Sequence, residues 1–138
     1  MKDYEINKVF IRDLRVNYYH KGLLNISKDI QGTVDYFKKI VDDVQPEKTV
    51  MIGSSMGGYA AILFGTLMNA DTVISFVPQT ILDKEKHKRG IPREKCEEKY
   101  VDLKNVIKSE KAKTKYHIYY GSDREDIIQA ERLKKTPK

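Results

Sequence analysis

Cysteine is nearly absent from this chain. The one residue, Cys96, cannot close an internal disulfide and supplies no metal-ligand spacing, which fits a reducing compartment. It is read as a half-buried helix residue. Long hydrophobic runs are missing too: the longest mostly apolar stretch, Tyr59–Met68, is about half of the ~20 residues a spanning helix needs. The opening MKDYEINK has no apolar core for a signal peptide, so the chain is expected to stay in the cytosol, off the membrane. Charge of one sign is only mildly in excess, with 26 Lys and Arg against 20 Asp and Glu leaving +6. The densest basic run, Lys84–Lys95, is broken by Glu85, Gly90, Pro92 and Glu94 and carries no aromatic residue for base stacking. A solvated loop is expected there, which argues against a nucleic-acid footprint. No metal or cofactor is implied.

What is present fits a soluble globular protein. Hydrophobic residues make up 40% and charged residues 33% of 138 residues, the size of one domain but short for a complete enzyme of many α/β classes. Neither repeats nor a linker divide it. Short β-rich runs alternate with amphipathic stretches, the pattern of βα units on a parallel sheet. Lys8–Ile11 reads as a first strand. Ser27 is placed to cap a helix with Asp29 in its first turn, after which Ile30, Val34, Phe37, Val41 and Val44 form one stripe until Pro46. Thr49–Ile52, apolar without alternation, predicts a central strand covered on both faces. From Gly57 the chain reads as a nearly all-round apolar helix. Thr72–Val77 predicts a third strand, stopped by Pro78, followed by an irregular loop to Arg93 and a helix from about Glu94 with Cys96, Tyr100, Leu103 and Ile107 on one face. Tyr116–Tyr120 is the last strand, and a terminal helix starts near Glu125. The expected architecture is a single α/β domain over 1–138: a three-layer α/β/α sandwich with a mostly parallel sheet of about four strands.

Between the second strand and its helix, Gly53, Ser54, Ser55, Met56 and Gly57 spell GxSxG. A buried strand before and an apolar helix after are the setting in which this pentapeptide makes a nucleophile elbow. Such a turn forces its central residue into a strained conformation, and glycines at 53, 57 and 58 are expected to remove β-carbons that would clash. Ser55 Oγ would then stand clear of the sheet at the positive end of the helix, where the Met56 N–H can donate to a developing oxyanion. The plainer alternative is that Ser54 and Ser55 only cap the helix while the glycines serve a tight turn.

The run GSSMGGYAAILFG, followed by a strand and PQT, resembles the α/β-hydrolase fold. It is closest to hydrolase-like proteins encoded with bacterial surface-polysaccharide and glycosyltransferase functions. Segments similar to FIRDLRVNYYHKGL and YHIYYGSDREDIIQAERL extend the resemblance over most of the chain. It implies a partial α/β-hydrolase fold with Ser55 as nucleophile, Met56 as the oxyanion-hole amide and Asp126 as triad acid, Asp123 being a close competitor. Either carboxylate could equally be a helix-start charge, since the first turn favours acids. The implied substrate is a small-molecule or carbohydrate ester.

In that fold the histidine follows the acid, after one further strand. The histidines here are His20, His87 and His117, all before Asp123. His117 lies within the last strand, where a core or surface role is expected. His87 sits among lysines on a loop and is expected to be solvated, although a mobile loop above the elbow could bring it near Ser55. His20, in YYHKGL, follows the first strand and is the remaining candidate base. Three readings stay open: a fragment lacking the first strands and the histidine strand, a histidine from elsewhere (His20 or a partner chain), or a catalytically inactive binding or scaffolding module. The fold normally inserts a strand between those matching Phe10 and Met51. Without it they pair directly or leave a gap, and exposed edges would favour a homodimer.

Overall fold

The structure, a computed structural model, describes residues 5–134 apart from Lys86, Lys88 and Gly90. Residues 5–29 form an extended lead and a series of turns, with no strand at 8–11. The expected first strand is therefore replaced by irregular chain. Val9 and Ile11 come alongside Val50 and Met51 but line a groove there with Phe37, so no ladder forms. Of the two outcomes foreseen for a missing intervening strand, the gap is the one observed.

Helix α1 runs Ile30–Val44 and buries Ile30, Thr33, Val34 and Phe37, the stripe set by the spacing of its apolar residues. Its cap is Asp29, whose carboxylate accepts from Gly32 N at 2.7 Å. Ser27, expected in that role, instead closes the preceding turn: its Oγ accepts from Leu23 N at 2.8 Å and meets Thr33 Oγ1 at 2.7 Å.

Three parallel strands follow, β1 (Val50–Ser54), β2 (Thr72–Phe76) and β3 (Lys115–Tyr119), in the order β1-β2-β3. Between β1 and β2 lies α2 (Met56–Leu67), buried without interruption from Gly58 to Thr66, as its all-round apolar sequence requires. A 3-10 turn at Glu98–Tyr100 leads into α3 (Leu103–Glu110), and α4 (Arg124–Lys134) follows β3. The helix expected from Glu94 thus begins only at Leu103, where Asp102 accepts from Lys104 N at 3.0 Å. Cys96 lies in irregular chain before that turn, half-buried, and burial pushes its thiol up to about 11.

The fold is α/β, helices packed on a parallel sheet, with three strands among the described residues where about four were expected. Among the described strands β1 lies at the edge and not at the centre as expected; β2 is central. Register places Val50 beside Thr72 and Lys115, Ile52 beside Ile74 and His117, and Ser54 beside Phe76 and Tyr119, so these residues share one face. The opposite face carries Val73 and Ser75, both fully buried, and Tyr116, whose hydroxyl meets Thr66 of α2 at 2.7 Å. On the first face Val50, Ile52, Phe76 and Tyr119 are exposed, Ile52 at 66%, and Phe76 stacks on Tyr119 with ring centroids 5.2 Å apart. A second helix layer over that face is not seen among the described residues. No helix among them is long and apolar enough to cross a membrane.

Candidate active site

The turn from β1 to α2 is as abrupt as the sequence demands. Ser55 links the last residue of the strand to the first of the helix with φ 53° and ψ −117°, a conformation that costs a non-glycine residue about 1–3 kcal/mol. Its amide donates to Phe76 O at 2.9 Å, tying the turn to the end of β2, and its side chain is exposed. That side chain makes no capping bond to the helix. A serine there for capping would accept from N2 or N3, so the plainer alternative fails on geometry. The first N–H groups of α2 have no acceptor earlier in the helix, and that of Met56 stands next to the Ser55 hydroxyl in sequence.

The glycines divide into two kinds. A β-carbon on Gly53 would fall on the carbonyl of Gly57, and one on Gly58 would meet Ser75 Oγ at 2.7 Å and Phe76 O at 3.1 Å. Both positions exclude a side chain by close approach. Gly57 differs from the expectation that all three relieve a clash: nothing lies within 4 Å of its β-carbon position. It lines the groove beside β1, where no strand lies among the described residues.

Strain extends along the carboxyl rim of the sheet. Val77 has φ 41° and donates to Tyr119 O at 2.7 Å, and Val16, Tyr18 and Tyr19 all have φ between 53° and 65°. β-branched and aromatic residues rarely adopt this region, and backbone strain of this kind concentrates at functional sites. The Val16–Tyr19 turn is imposed by Asp13, a buried carboxylate that accepts from the amides of Arg15, Asn17 and Tyr19 at 3.0, 2.6 and 3.0 Å.

Ser55 Oγ has one polar partner in this structure that sequence reasoning did not single out. It donates to Gln79 Oε1 at 3.3 Å, and Tyr18 Oη donates to the same oxygen at 3.4 Å. Gln79 directly follows Pro78 at the end of β2, so a polar residue at the strand's carboxyl end was the available signal. A neutral amide carbonyl orients a hydroxyl but does not take its proton at ordinary pH.

His20 is not brought to Ser55 as a base. It is 3% exposed; its Nδ1 accepts from Glu97 N at 2.9 Å, which leaves the proton on Nε2 to donate to Tyr59 Oη at 2.8 Å, and Tyr59 in turn donates to Tyr100 O at 2.7 Å. Both ring nitrogens are thus spent on holding the 93–100 segment against α2. Burial lowers the imidazole to about 4, with Asp13 opposing and Lys21 assisting. His117 lies in β3, on the same sheet face as Ile52 and Ile74. His87, expected to be solvated, is instead 9% exposed in its side chain, with Nδ1 at 3.5 Å from Glu125 Oε2. Among the described residues neither atom has a hydrogen-bond partner. The Lys84–Lys95 run falls partly outside the described residues.

The two candidate acids sit together at the start of α4. Asp123 Oδ1 accepts from Glu125 N at 3.0 Å and its carbonyl accepts from Ile127 N at 3.0 Å, so it starts the helix. Asp126 is 15% exposed in its side chain, and Arg89 reaches both carboxylates, at 3.0 Å to Asp126 and 3.5 Å to Asp123. Among the described residues no group of three His, Cys, Asp or Glu is placed to hold a metal ion.

Residues 5–132 match the uncharacterised protein family UPF0227. The chain belongs to this family. The matched span covers every element of the fold except the last two residues of α4, and every residue of the rim just described. Among curated proteins and solved structures, none matches significantly.

Proposed function

We propose that the chain is a serine hydrolase or acyltransferase acting on an ester, with an acyl group on a carbohydrate as the substrate class that the polysaccharide-linked resemblance suggests. The observation that carries this reading is the exposed Ser55 side chain on a backbone at φ 53°, ψ −117°, making no cap bond to the helix it precedes. In the reaction Ser55 Oγ attacks the ester carbonyl carbon and the Met56 N–H stabilises the oxyanion; the C–O bond to the alcohol then breaks, and the proton given up by the serine ends on the departing oxygen, leaving an acyl-serine and the free alcohol. Water or a second hydroxyl then takes the acyl group. Asp126 or Asp123, both at the start of α4 and both within reach of Arg89, is the candidate orienting acid.

A second reading, a catalytically inactive module that binds a partner or ligand, is favoured by one observation: both His20 nitrogens are engaged and Arg89 occupies both candidate acids. Base catalysis contributes about 10²–10⁴-fold, and an oxyanion hole without it leaves weak activity. A fluorophosphonate probe separates the two readings. Labelling that disappears in Ser55→Ala supports the hydrolase; folded protein that takes no label favours the module.

A further inference from the structure

We infer that Gln79 is a positioning residue for Ser55, an inference that rests on the serine-nucleophile reading above. The Gln79 side chain is 5% exposed, and its carbonyl oxygen receives two hydroxyls, from Ser55 at 3.3 Å and Tyr18 at 3.4 Å. A carbonyl has two lone pairs, so these contacts fill it. Gln79 fixes the direction of the Ser55 O–H bond and leaves the serine's own lone pairs unused by this contact.

The backbone around Gln79 is held from both sides. Before it, Val77 is kept at positive φ by its bond to Tyr119 O, and Pro78 ends β2. After it, Thr80 is fully buried: its amide donates to Gln129 Oε1 at 2.7 Å and its hydroxyl lies 2.7 Å from Gln129 O. Tyr18 is equally fixed, packed edge-on against Tyr59 with centroids 5.4 Å apart, and burial raises its phenol so that it remains a donor. A side chain this constrained, ending on the hydroxyl of the strained residue, matches the support that a precise nucleophile needs. Since the acceptor is an amide, it orients the Ser55 hydroxyl without taking its proton.

Two variants of the full chain test this through the rate of fluorophosphonate labelling at Ser55 as a function of pH. The step forms an Oγ–P bond and expels fluoride, and the serine proton must leave. Gln79→Glu keeps size and acceptor but adds a base, so it is expected to label at least ~10-fold faster than wild type once its carboxyl ionises, with a rate that falls on acidification. Gln79→Met keeps volume without an acceptor and is expected to label several-fold more slowly at every pH. Should Gln79→Met fail to fold by circular dichroism, Gln79→Glu alone decides. Wild-type rates and an unchanged pH profile in the folded variants overturn the role of Gln79. A wild type that takes no label at Ser55 overturns the nucleophile reading itself, a distinct outcome.

Discussion

A hydroxyl held on backbone that costs about 1–3 kcal/mol must be compensated by its surroundings, and single residues around Ser55 show how. Gly53→Ala would drive a methyl into the Gly57 carbonyl and is expected to destabilise by about 3 kcal/mol or more, since backbone cannot yield there. Gly57→Ala meets open space on a helix and is expected to be neutral or stabilising by up to ~1 kcal/mol. Urea unfolding of the two variants checks the contrast; equal losses would contradict it. The GxSxG pentapeptide made the elbow legible in sequence, yet it did not distinguish these two glycines, because the difference depends on what packs against each in the folded chain. His20 was legible only as a histidine after a predicted strand. Its partners, Glu97 N and Tyr59, lie 77 and 39 positions away, a pairing that only the folded chain reveals. With a folded value of about 4 against 6.5 for a free imidazole, the folded protein refuses a proton that the unfolded chain accepts. Stability from neutral His20 is therefore complete above about pH 6.5 and drains as the pH falls towards 4. The His20 ring resonances in an NMR titration should move with a midpoint near 4; a midpoint near 6.5 would contradict the burial.

At the scale of elements, β1, α2, β2, β3 and α4 lie within a residue or two of where the hydrophobic pattern puts them, because each is set by local periodicity and a local stop such as Pro78. The start of α3 was misplaced. Cys96 and Tyr100 fit a helical stripe, but the segment before Leu103 is pulled out of a helix by tertiary bonds: Glu94 N donates to Asn17 Oδ1 at 2.7 Å and Glu97 N to His20. Such distant partners override local preference. The joint between β2 and α4 rests on Gln129, whose side-chain oxygen accepts from the amides of Thr80 and Ile81 at 2.7 and 3.2 Å. Gln129→Leu strands both buried amides and is expected to cost about 2 kcal/mol or more, while Thr80→Val removes one hydroxyl and costs about 1 kcal/mol. Thermal melts of both variants check the order, and a Gln129→Leu loss smaller than that of Thr80→Val would contradict it.

For the molecule as a whole, the unbroken apolar run of β1 signals a strand covered on both faces, and the structure leaves one face open. That mismatch was hidden from sequence because periodicity reports what a strand can bury, not what is there to bury it. Exposed Ile52 and the Phe76–Tyr119 pair, on a sheet whose β1 edge pairs with no strand among the described residues, predict self-association. Ile52→Lys places a charge on that face and is expected to raise the concentration at which oligomers appear in sedimentation; unchanged sedimentation would contradict it. The rim at the carboxyl ends of the strands is the other whole-molecule feature, since β1, β2 and β3 run parallel and deliver Ser55, Gln79 and Asp123 to one side of the sheet. A crystal structure of the protein after reaction with a fluorophosphonate tests this arrangement most directly. The account predicts phosphorus bonded to Ser55 Oγ and its free oxygen about 2.7–3.1 Å from the Met56 amide. A phosphonate carried by another residue, or one on Ser55 whose oxygen points away from that amide, would contradict it.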